Sequence, residues 1–148
     1  SRAADTHLEF DLGLAVREDS ENPVYYVQYA HARIKSILRN LAAEGIHIPD
    51  TASVDFSLLT SADERALLKT IAALPEEILT AARFREPARL NRYVTEVASA
   101  FHRFYTSCRI KDAQTPALRD ARILLAQATA KVIENTLSII GVTAPDQM

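Results

Sequence analysis

A row of tyrosines followed by an arginine has the residue types that stack on unpaired nucleic-acid bases. Tyr29 and Arg33 are four residues apart, and Tyr26 precedes Tyr29 by three. Side chains at these spacings share one face of an α-helix. Tyr25 and Tyr26 point about 100° apart on a helix, so at least one should face the core, which leaves Tyr29 as the better surface candidate. From the residues alone, base stacking and plain core packing both stay open.

The remaining residues that could do chemistry form no catalytic or metal-binding pattern. The four histidines make no HExxH or CxxC spacing, and no Gly-rich phosphate loop is present. His102 and Cys108 are six residues apart, which puts them on different faces of one helix. Cys108 continues an apolar seam and is predicted to be a buried, inert thiol, and His31 is interpreted as a hydrogen-bonded structural histidine. A stand-alone hydrolase or metalloenzyme is the least favoured class.

Composition predicts one all-α domain. The 148 residues suit a single core, only three are glycine, and alanine, leucine, arginine and glutamate dominate. The single cysteine excludes an internal disulfide, and no apolar run approaches the ~20 residues that span a membrane. No signal-peptide pattern is present, so we expect a cytoplasmic location. The polar start without an initiator methionine hints at a piece of a longer protein.

Charge is unevenly distributed although the total is only −2. Residues 1–22 contain two arginines and six acidic residues, which leaves a net charge of +2 on the remainder. Residues 83–111 hold seven basic residues against two acidic ones. Such a segment can bind nucleic acid, but more often it is a solvated face.

Capping residues and prolines predict an antiparallel bundle of about five helices. Asn22 as N-cap, Pro23 at the first position and Gly45 at the end bound the first helix. Ser61, followed by Glu64 three residues later, predicts a capping box at the start of the second helix. The other predicted helices span about 61–73, 75–85, 87–110 and 116–141. Residues 1–21, which precede the first helix, are interpreted as a short helix or an extended arm. The only plausible domain boundary in the sequence lies near residue 20.

Four segments carry a resemblance to a known family. NPVYYVQYAHARI at 22–34 is long and specific, and LEFDLGLA at 8–15 precedes it. FHRFYTSCRI at 101–110 and the terminal APDQM at 144–148 are shorter but correctly ordered. Together they resemble the C-terminal, DALR-type anticodon-binding domain of arginyl-tRNA synthetase, whose chains usually end in Ala-Pro-Glu-Arg-Met. The resemblance covers essentially the whole chain.

The resemblance implies an all-α helical domain from a class I aminoacyl-tRNA synthetase. It makes residues 1–21 an arm from the end of the catalytic domain and 22–148 the helical anticodon-binding domain. The HIGH-type and KMSK-type motifs that bind ATP in the family are missing from this chain. The chain alone should therefore not attach arginine to tRNA, and we expect it to have no cofactor of its own, with ATP bound by the catalytic domain.

By position, the resemblance implies that Tyr29, Arg33, Tyr105 and Met148 contact the anticodon. The implied partners are the tRNA for arginine and the protein's own catalytic domain. We expect neither a membrane nor DNA as a partner. We expect the protein to be a monomer. Two departures from the family pattern are Gly13, where Asp is common, and Asp146-Gln147, which replace Glu-Arg and remove a positive charge beside the terminal methionine.

The alternative function is a non-enzymatic scaffold or protein-interaction bundle. In that case the tyrosines would be core residues and no RNA surface would exist. The exposure of Tyr29 and Tyr105 separates the two hypotheses, because full burial of both rings would favour the scaffold.

Overall fold

The computed structural model describes residues 22–148, and the expectations for residues 1–21 lie outside this range. The described residues form α-helices and two short 3-10 turns, with no strand among them, which confirms the predicted all-α class. None of the described helices combines the length and apolar composition needed to cross a membrane. The helices are α1 (Pro23–Ala43), α2 (Ala62–Ala72), α3 (Leu74–Phe84), α4 (Ala88–Ser107) and α5 (Pro116–Ile139).

The helix ends follow the capping chemistry of the sequence. The side chain of Asn22 accepts from the backbone N–H of Val24 at 3.0 Å, and Gly45 lies past the end of α1 with a φ of +80°. At the start of α2, the N–H of Ser61 donates to the Glu64 carboxylate at 2.8 Å, and the N–H of Glu64 donates to the Ser61 hydroxyl at 3.2 Å. These contacts confirm the predicted first helix and the predicted capping box.

The second long helix ends three residues earlier than predicted. α4 stops at Ser107 rather than Ile110, because the backbone of Cys108 leaves the helical region with φ −121° and ψ 80°. The hydroxyl of Ser107 donates to the carboxylate of Asp63 at 2.6 Å, and the Cys108 sulfur lies 3.1 Å from the Ser61 hydroxyl. The end of α4 is therefore attached to the start of α2. Cys108 is buried, as predicted.

The core is built around α4, which packs against each of the other four helices. α1 and α5 also pack against each other. Phe101 and Phe104 of α4 are fully buried, together with Ile34 of α1 and Ile133 of α5. The face of α4 that carries Tyr105 lies beside α1. This packing brings Tyr105 close to Arg33.

Candidate RNA interface

Aromatic and cationic side chains of α1 and α4 meet at one surface. Tyr29 is 43% exposed, and its ring stacks on the His102 imidazole with centroids 6.3 Å apart and planes 27° apart. The guanidinium carbon of Arg33 lies 5.0 Å from the centroid of the half-buried Tyr105 ring. Tyr105 in turn stacks on the core ring of Phe101 at 5.9 Å. Neither tyrosine is fully buried, and each ring stacks on another ring of the protein on one side.

His102 is a member of this surface that the motif reasoning missed. Its ring lies 5.2 Å from Tyr26 and 5.8 Å from Phe101, between the core and Tyr29. Burial lowers the pKa of His102, and the positive charge of Arg33 lowers it further, so the imidazole is neutral at pH 7. Its spacing of three residues before Tyr105 places it on the same helical face, which was the available signal.

The end of the chain completes the surface. Met148 is 54% exposed and borders a depression of about 410 Å³ beside Tyr29 and Arg33. Ala32, Ser36, Arg39 and Gln147 also line this depression. Three of the four sequence-predicted contact residues therefore share one depression, and Tyr105 joins them through the Arg33 guanidinium.

Two side chains of α1 hold the backbone of the tail, which is the segment of residues 143–148 after α5. The Gln28 side-chain amide donates to the carbonyl oxygen of Thr143 at 2.7 Å. Nδ1 of His31 lies 2.9 Å from the carbonyl oxygen of Pro145, and it must donate because a carbonyl oxygen only accepts. His31 is 1% exposed, so its interpretation as a hydrogen-bonded structural histidine is confirmed.

Two cations further along α1 hold the tail at Asp146. Arg39 donates from Nη1 to the Asp146 carbonyl oxygen at 3.0 Å. The Lys35 ammonium lies 3.4 Å from the Asp146 carboxylate. The sequence reasoning did not connect these two side chains to the tail. The residue that replaces the family's usual glutamate therefore still finds a cationic partner.

A second polar cluster lies at the start of α2. The Glu64 carboxylate is 1% exposed and accepts from Nε of Arg122 at 2.7 Å, and Nη1 of Arg122 donates to the Arg109 carbonyl oxygen at 2.9 Å. Burial alone would raise the pKa of Glu64, but the bonds from the Ser61 N–H and Arg122 hold it below its usual value. Among residues 22–148, no group of three or more His, Cys, Asp or Glu is placed to hold a metal ion.

Comparison with known proteins decides the family. The family model described as the DALR anticodon-binding domain matches residues 27–148. The chain belongs to the DALR anticodon-binding domain family. The whole chain is 48% identical over 148 residues to an arginine–tRNA ligase of Acetivibrio thermocellus, covering all of this chain and 26% of that protein. It is 51% identical over 150 residues to one of Desulfitobacterium hafniense, covering 99% of this chain and 26% of that protein.

Solved structures of the same kind share the fold. A crystal structure of an arginyl-tRNA synthetase from Campylobacter jejuni matches with a TM-score of 0.85 at 32% identity, covering 100% of this chain and 31% of that one. The arginyl-tRNA synthetase of Thermus thermophilus matches with a TM-score of 0.71 at 30% identity, covering 83% of this chain and 21% of that one. The chain spans about a quarter of the length of the curated relatives it matches. The predicted family and fold are confirmed.

Proposed function

We propose that this DALR domain binds the anticodon arm of the tRNA for arginine, as the RNA-binding part of an arginine–tRNA ligase. The observation that supports this most directly is the meeting of Tyr29, Arg33, Tyr105 and Met148 at one open surface. They come from three separate parts of the chain, and core packing does not require the exposed ring of Tyr29 and the half-buried ring of Tyr105 at this surface. Family membership supports the same function.

The chemistry of this surface suits unpaired bases. Anticodon bases can be splayed out of their stack, and stacking on an aromatic face is worth about 1–3 kcal/mol per base. The Arg33 guanidinium offers a planar fork for base edges or phosphate oxygens. Met148 offers a flexible apolar contact at the rim of the depression. Since His102 is neutral, the cations nearest the depression are Arg33 and Arg39.

The proposal extends to the rest of the enzyme. The curated relatives named above are arginine–tRNA ligases, and this chain corresponds to about a quarter of each. We assign to it RNA binding without ATP or another cofactor, and arginine activation with ATP to a catalytic domain outside this chain. The chain alone should not aminoacylate. The catalytic domain is then its second partner, and the cytoplasmic location and monomeric state stay predictions.

The scaffold hypothesis has no observation in its favour. Full burial of Tyr29 and Tyr105 would have favoured it, whereas Tyr29 is exposed and Tyr105 is half-buried. The comparisons with known proteins return arginine–tRNA ligases. Anticodon binding is therefore the function that the surface supports best.

The test is a titration of the chain with arginine tRNA and with the same tRNA carrying exchanged anticodon bases, at one salt concentration. Tighter binding of the native anticodon is expected. Tyr29→Ala and Tyr105→Ala should each weaken binding about 5- to 150-fold, the equivalent of one stacked base. Phe84→Ala is the matched control, because this ring is 61% exposed on α3, outside the surface. Equal affinity for the two tRNAs would contradict the proposal.

A further inference from the structure

One face of α1 carries a stripe of polar residues that all bind the tail. Gln28, His31, Lys35 and Arg39 recur at intervals of three, four and four, so they lie along one side of the helix. Three of them donate to backbone carbonyl oxygens of the tail, and Lys35 pairs with the Asp146 carboxylate. The neighbouring stripe of Tyr29, Arg33 and Ser36 borders the open depression.

His31 has the contact that packing alone does not explain. Its ring is buried, Nδ1 donates to the Pro145 carbonyl oxygen, and Nε2 is buried with no hydrogen-bond partner among residues 22–148. A buried nitrogen without a partner destabilises the fold, and an apolar side chain would fill this space without that penalty. The histidine is therefore explained by the tail bond, in which Nδ1 carries the proton that the Pro145 carbonyl oxygen accepts.

We propose that Gln28, His31, Lys35 and Arg39 form a latch that holds tail residues 143–148 where Met148 completes the RNA surface. His31 is the central positioning residue of this latch. The inference rests on the proposed function and adds residues that act on RNA binding through the tail. Three latch contacts reach main-chain oxygens, so the latch holds the path of the chain rather than particular tail side chains.

The latch matters because it orders the tail before any RNA arrives. The tail leaves α5 through Gly141, which has a φ of +77°, and without the latch these residues would lose conformational freedom only on binding. Fixing a contact segment in its bound position strengthens binding without adding a contact to the ligand. Loss of the latch should therefore weaken RNA binding although His31 itself is buried.

The first test needs no RNA. Carboxypeptidase release of Gln147 and Met148 from the full chain, followed by mass spectrometry, measures how firmly the tail is held. His31→Ala should accelerate release, and His31→Asn should restore slow release because its amide nitrogen can take the place of Nδ1. His47→Ala is the control, since His47 is exposed in the loop after α1. Release from His31→Ala at the rate of the unaltered chain would overturn the latch.

The second test is a double-mutant cycle on anticodon binding. His31→Ala should weaken binding of the native anticodon about fivefold or more, but cause no further loss in a chain that lacks Gln147 and Met148. A merely structural role would give the same loss in both backgrounds, and that result would overturn the latch. If His31→Ala does not fold, Gln28→Ala replaces it in both tests, because it removes one tail bond from a half-buried position.

The two proposals fail in different ways. An unaltered chain that binds native and exchanged anticodons equally would remove the proposed function, and the protease test would still decide whether the latch holds the tail. A chain that discriminates between anticodons but shows additive losses in the cycle would remove the latch alone.

Discussion

The open surface around Tyr29 and the closed cluster around Glu64 use similar residue types in opposite ways. In the closed cluster, both carboxylate oxygens of Glu64 accept hydrogen bonds, and the side chain of Arg122 is only 13% exposed. In the open surface, the Arg33 guanidinium lies over Tyr105, and Tyr29 faces solvent. Groups whose bonding is completed inside the protein stabilise the fold, whereas exposed rings and cations remain available to a ligand.

The largest expected effect is the loss of the buried ion pair in the closed cluster. Glu64→Gln removes the charge that balances Arg122 and should lower the free energy of unfolding by about 3 kcal/mol. Urea denaturation measures this, with Glu134→Gln as the control, because Glu134 pairs with Lys131 on the exposed surface. A loss below about 1 kcal/mol would mean that the cluster is not closed to solvent.

A smaller effect separates a closed tyrosine from the open ones. Tyr93 is buried and its hydroxyl donates to the Thr70 carbonyl oxygen at 3.0 Å. Burial, with the charges of Glu77 and Glu96, raises the pKa of Tyr93 from 10.0 to about 12. Between these values the unfolded chain loses the Tyr93 proton while the folded chain keeps it. Stability should therefore be unaffected by this group below pH 10 and fall by about 2 kcal/mol as the pH approaches 12.

The measurement for Tyr93 is urea denaturation at a series of alkaline pH values. Tyr93→Phe is the matched variant, because it keeps the ring and removes the ionisable hydroxyl. As the pH rises from 10 to 12, the unfolding free energy of the unaltered chain should fall by about 2 kcal/mol relative to that of Tyr93→Phe. Parallel curves would show that the hydroxyl is as solvated in the folded chain as in the unfolded one.

The smallest expected effect on stability lies in the open surface. Arg33→Gln removes a partly exposed cation–π contact with Tyr105 and should change the free energy of unfolding by no more than about 1 kcal/mol. The same variant should weaken binding of the native anticodon loop. A large loss of stability with unchanged RNA affinity would contradict this expectation. It would mean that Arg33 stabilises the fold, as Arg122 does, and does not bind RNA.

Helix positions and the tyrosine face were predictable because they depend on local spacing. Asn22, Gly45 and the Ser61 capping box determine helix ends through neighbours a few residues away. The end of α4 was misplaced because Ser107 bonds to Asp63, which lies 44 residues earlier. Contacts between residues far apart in sequence leave no spacing pattern to read.

The candidate site was predictable only in part, for the same physical reason. The four-residue spacing of Tyr29 and Arg33 indicated that they share a helical face, whereas Tyr105 and Met148 were identified only through the family resemblance. The partners of Gln28 and His31 are main-chain oxygens more than 110 residues away. Every residue has a carbonyl oxygen, so no residue type marks such a partner in advance.

The open surface exists only when α1, α4 and the tail are all in place, since each contributes part of it. A ligand bound there therefore binds the folded chain and not the unfolded one. By mass action, RNA at about 100 times its dissociation constant would add about 2.7 kcal/mol to the unfolding free energy. The tRNA would thus be a stabiliser of the domain as well as its ligand, and the melting temperature would rise with RNA concentration.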